Sequence, residues 1–95
     1  MKSYKRRPGV VLLEVCGESL LVSTGEARGQ CPYVTHINAA AARFWTLLES
    51  EMSVQELTRA AAQEQGAEEK AVLLPALAFL SKMEKSGYVI AEEMP

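Results

Sequence analysis

The chain changes its hydrophobic rhythm near residue 37. Before that point apolar side chains come in short runs broken by Gly and Pro; after it they recur at helical spacing among Ala, Leu, Glu and Lys. The first run, Val10-Val11-Leu12-Leu13-Glu14-Val15-Cys16, is β-branched and apolar and begins after Pro8-Gly9, which predicts a strand. A second run, Ser19-Leu20-Leu21-Val22-Ser23-Thr24, follows two residues later. Gly17-Glu18 lies between them with Gly leading, so a tight type II′ hairpin is expected. After a loop carrying Gly25, Gly29 and Pro32, Tyr33-Val34-Thr35-His36 reads as a short third strand at a sheet edge.

Three helical patterns follow. Asn38 is a good N-cap, since its side-chain oxygen can accept from an unpaired first-turn amide, and the helix it opens is expected to run to about Ser50. Ile37, Ala41, Phe44, Trp45 and Leu48 give that helix one apolar face. Ser53-Val54-Gln55-Glu56 has the spacing of a capping box and opens a second helix, with Val54, Leu57, Ala60 and Ala61 inward and an end near Gly66. A third begins around Glu68-Glu69, where carboxylates suit the positive end of the helix dipole. Leu73, Ala76, Leu77, Leu80 and Met83 or Glu84 trace its stripe, and Gly87 fits its C-terminal cap. Pro75 lacks an amide and crowds the carbonyl four residues back, which predicts a kink or split near Val72–Leu74. Tyr88-Val89-Ile90 reads as a short extended segment.

These elements make an α+β fold: a small winged-helix-like domain of three N-terminal antiparallel strands followed by three helices. Its expected extent is residues 8–90, between a flexible basic N-terminal tail over 1–7 and a frayed C-terminal tail over 91–95. Ninety-five residues hold one core with little room for a cofactor, and none is expected.

Charge narrows the function. The net charge is −2, with five basic and three acidic groups in residues 1–36 and five basic and nine acidic in residues 37–95. That balance supplies no global attraction to nucleic acid or to an anionic membrane. The longest apolar run is five residues, Ala76 to Leu80, against about 20 for a membrane-spanning helix. The N-terminus is basic but lacks the apolar core of a signal peptide, so a cytosolic protein is expected. Cys16 and Cys31 are too few for a disulfide framework, and with a single His they make a poor metal set; both read as small buried apolar residues.

No catalytic constellation is visible. His36 has no sequence-level partner as a general base, and a lone strand histidine is more often structural or solvated. Glu68 and Glu69 are adjacent, so on a helix they diverge by ~100° and do not form a paired acid/base site. Neither a Walker loop nor a dinucleotide fingerprint is present. The winged-helix content raises an alternative, a DNA-binding or regulatory protein-interaction module, but DNA binding is poorly served: the segment from Glu68 to Lys85 is neutral and holds no Arg, Asn or Gln to read base edges. Lys2, Lys5, Arg6 and Arg7 could touch phosphates, but only weakly and without sequence choice. A peptide-binding module remains, because an exposed edge strand can accept an extended peptide as a further strand.

The ordered elements resemble the PqqD family. Pro8-Gly9-Val10-Val11-Leu12 with Gly17-Glu18-Ser19-Leu20-Leu21-Val22 resembles its opening hairpin. His36-Ile37-Asn38-Ala39-Ala40-Ala41-Ala42-Arg43-Phe44-Trp45 is similar to its aliphatic–Asn–x–x–Ala–Ala–x–aliphatic–Trp segment. Met52-Ser53-Val54-Gln55-Glu56-Leu57 resembles its capping segment, and Phe79-Leu80-Ser81-Lys82-Met83 with Gly87-Tyr88-Val89 its closing helix. The resemblance covers residues 8–90. It implies a RiPP recognition element, a non-catalytic peptide chaperone that binds the leader region of a ribosomally made precursor peptide and presents it to a maturation enzyme, often a radical S-adenosylmethionine (SAM) protein. The leader would add to the third strand and lie against the third helix. Carried onto this sequence, that implicates Tyr33, Val34, Thr35 and His36 across a groove from Lys70, Leu73, Leu74 and Leu77. Pro75 departs from the family pattern, which more often has a polar residue there.

Overall fold

In the computed structural model, residues 1–93 are described. The two apolar runs form the hairpin expected of them, β2 (Val10–Val15) with β3 (Glu18–Ser23), paired from Val10↔Ser23 to Val15↔Glu18. That register leaves Cys16 and Gly17 as the turn. Both have positive φ, 52° and 79°, so the turn is type I′ rather than the II′ expected. The same conformation puts Cys16 in solvent at the hairpin tip instead of in the core; Cys31 is half-buried, and both thiols are free. β4 (Val34–Ile37) pairs with β3 and completes a sheet in the order β2-β3-β4.

The terminal segments are strands, not tails. β1 (Lys2–Arg6) lies between the short β5 (Met52–Ser53) and β6 (Val89–Glu93), giving a second sheet in the order β5-β1-β6. Lys2↔Glu93 through Arg6↔Val89 pair antiparallel, so the basic segment is sheet-bound. The fraying expected over 91–95 is absent from Ala91–Glu93; residues 94–95 lie outside the described residues. Lys5 donates to Glu92 at 2.8 Å, and that hydrogen bond and charge raise the lysine pKa above its ordinary value. The clip is therefore present at neutral pH and is lost only as pH climbs past the raised value. Farther along, the Arg7 amide donates to the Tyr88 carbonyl at 2.9 Å and its guanidinium to that of Gly87.

The helix signals act locally, as their chemistry requires. Asn38 caps α1 (Ala39–Leu47), its side chain accepting from the Ala41 amide at 2.8 Å; the helix ends three residues before the expected Ser50. Both halves of the capping box form at α2 (Val54–Gln65): Ser53 accepts from the Glu56 amide and Glu56 from the Ser53 amide. α3 (Glu69–Ser86) is continuous through Pro75 and stops at Gly87, whose φ of 87° is the left-handed cap conformation. Helix α3 is thus not split where Pro75 predicted an interruption.

The core lies where the three helices meet the inner face of the β2-β3-β4 sheet and β6. Trp45, Leu48, Leu57, Ala76, Leu80, Met83, Tyr88 and Leu21 are almost fully buried there. The buried stripe of α3 is Val72, Ala76, Phe79, Leu80 and Met83. Leu73 and Leu77, expected in that stripe, are left partly exposed. Among the described residues no helix is long and apolar enough to cross a membrane.

Candidate functional site

β4 is an edge strand: β3 occupies one side and, among the described residues, no strand occupies the other. Which residues face the open side follows from alternation. The Ser23 amide donates to the Tyr33 carbonyl at 2.9 Å, so Tyr33, and with it Thr35 and Ile37, turn their backbone groups toward β3. Val34 and His36 therefore turn amide and carbonyl outward, with no backbone partner among the described residues. Their side chains share the exposed outer face of the sheet, where His36 Nε2 lies 3.8 Å from a Glu18 carboxylate oxygen.

Opposite this end of the sheet stands α3. Between them is a depression of about 300 Å³ lined on one side by His36, Ile37, Asn38, Ala40, Ala41 and Phe44, and on the other by Pro75, Ala78, Phe79, Lys82 and Met83. Its floor is the Phe44–Phe79 pair, with ring centroids 5.3 Å apart and planes tilted by 32°. Pro75 and Ala78 are short, so the helix wall there is low.

The walls are pinned together at the β4 start. Tyr88, fully buried, donates its hydroxyl to the Pro32 carbonyl at 2.9 Å and so accepts from the Thr35 hydroxyl at 2.7 Å. Gly87 passes so close to the preceding loop that a Cβ would sit 2.3 Å from the Gln30 carbonyl oxygen.

Of the expected site residues, Val34 and His36 stand on the open edge, exposed Tyr33 stands just before it under the Arg28 guanidinium (4.8 Å from the ring centroid), and Thr35 turns its hydroxyl inward to Tyr88. None of the expected helical set lines the depression. Leu74, 73% exposed, sits ~100° from Pro75 and does not line the depression. Leu73 and Leu77 each lie two residues from Pro75, about 200° around the helix, and face away from β4. Leu77 lines a separate hollow with Met1, Lys2, Tyr4, Ser53, Val54 and Gln55. Lys70, five residues from Pro75, is exposed and also turned aside. Residues absent from the expectation, Ile37, Ala41, Phe44, Pro75, Ala78, Phe79 and Lys82, line the depression instead. The spacing Val72-Ala76-Phe79-Leu80-Met83 was the available signal for the true stripe.

A family model described as coenzyme PQQ synthesis protein D (PqqD) matches residues 24–89, more than half of the chain. The chain belongs to the PqqD family. The PqqD match takes in β4, all three helices and the loop that pins them, and so both walls of the groove. The fold is also that of a solved structure, TbiB1 in complex with the TbiA(beta) leader peptide. That structure aligns at a TM-score of 0.67 and 20% identity, covering 90% of this chain and 93% of the other. No curated protein matches the chain.

Proposed function

We propose that this PqqD-family chain is a peptide chaperone of the RiPP-recognition type. It binds the leader of a ribosomally made precursor peptide by strand addition to β4 and holds it for a maturation enzyme, of the radical SAM class that the family serves. It contributes no catalysis itself. The observation that carries the reading is the open edge of β4, with Val34 and His36 turning backbone groups outward beside the Phe44–Phe79 depression. An extended peptide entering there gains backbone pairing from one wall and a seat for alternate side chains in the other. TbiB1, whose fold this chain shares, was solved in complex with a leader peptide, which supports a leader peptide as the ligand.

Titration with leader peptides from precursor genes neighbouring this one, followed by amide chemical-shift mapping, tests it. Shifts should concentrate on residues 34–37 and 75–83. Tight binding with shifts confined to other surfaces would refute the groove.

A further inference from the structure

The groove carries an asymmetry of charge that the peptide-binding reading does not require. Among the described residues lining it, the ionisable side chains are His36 and Lys82, and no carboxylate is present. His36 is near Glu18, Lys5 is paired with Glu92 and Arg59 with Glu69, yet Lys82 has no ion-pair partner among the described residues. Lys85, one turn on and ~60° away around the helix, extends the same basic lip and likewise has no ion-pair partner among the described residues. Glu84 lies about 200° from Lys82, on the opposite side. A chain of net charge −2 has therefore left one lip of its groove positive.

We propose that this lip selects acidic peptides: the groove takes a segment with an apolar side chain over the Phe44–Phe79 floor and an Asp or Glu reaching Lys82 and Lys85. The inference rests on the peptide-binding reading and adds the chemistry of the ligand. Spacing follows from geometry. The centre of Pro75–Phe79 and the midpoint of Lys82–Lys85 are six to seven residues apart, ~10 Å along a helix. An extended peptide covers that distance in about three residues, and same-face positions alternate, so the carboxylate stands two or four residues from the apolar anchor. Electrostatic complementarity of this kind contributes selectivity more than raw affinity, since exposed pairs are individually weak.

Basic residues near a helix C-terminus also compensate the dipole, and the test must separate the two roles. A randomised twelve-residue peptide display library is panned on the whole protein, and enriched peptides are resynthesised with their acidic residue as Glu, Gln or Lys. Enriched sequences should pair an apolar residue with an acidic one at the stated spacing. Glu→Gln in the peptide, or Lys82→Gln in the protein, should each weaken binding about fivefold. The combined change should cost little more than either alone. Lys82→Glu should shift the preference toward the Lys peptide, with a melting temperature near wild type throughout. Peptides that map to residues 34–37 and 75–83 yet carry no acidic bias overturn the charge selection and leave the groove standing. No enrichment at all, or enrichment on another surface, overturns both.

Discussion

Trp45 holds the interior at the scale of a single side chain. It is 1% exposed, packed among all three helices' core residues, with the Arg6 guanidinium 5.6 Å from its ring centroid. Trp45→Ala is expected to cost about 3–5 kcal/mol in denaturant unfolding, and a native emission maximum typical of water would contradict the burial. Ser23 behaves oppositely. Its hydroxyl is buried with no hydrogen-bond partner among the described residues, so it bears a desolvation cost without return. Ser23→Ala should leave stability unchanged or raise it by up to about 1 kcal/mol, read as a shift in the unfolding midpoint. What was legible in the sequence belongs mostly to this scale. Asn38, the Ser53–Glu56 box and Gly87 act on backbone within four residues of themselves, and each does what its chemistry indicates.

Elements joined across the chain were far less legible. β1 meets β6 more than eighty residues later, and Lys-Ser-Tyr-Lys-Arg carries no apolar alternation to announce a strand. Its pairing is fixed by partners that local pattern cannot see. Deleting residues 1–6 should therefore behave as the loss of a central strand, costing upwards of about 2 kcal/mol, since Tyr4 packs on the core and β6 loses its partner. A melting temperature unchanged by the truncation would restore the tail reading. The face of α3 was ambiguous for another reason. Val72, Leu73, Leu74, Ala76, Leu77, Phe79 and Leu80 are apolar nearly all round the helix, so periodicity admits two stripes and only packing against α2, β6 and the groove selects one.

At the scale of the whole molecule that selection changes which substitutions speak to function. Leu77, 41% exposed and turned away from β4, should accept Leu77→Glu with neither unfolding nor weaker peptide binding. Val34→Pro, by contrast, removes an outward amide that no β3 bond uses. It should weaken a strand-adding peptide roughly tenfold, one backbone bond's worth, while circular dichroism stays native. The edge itself was readable from the shortness of the third run; the wall opposite it was not. Gly87 and Tyr88 have a wider consequence. They fix the separation of the walls by backbone contact and by a buried hydroxyl tied to Pro32 and Thr35, none of which belongs to the low wall of Pro75, Ala78 and Lys82. Spacing and taste are thus written in different residues, so a lineage, or an engineer, can retune what the groove accepts without rebuilding the frame that holds it open.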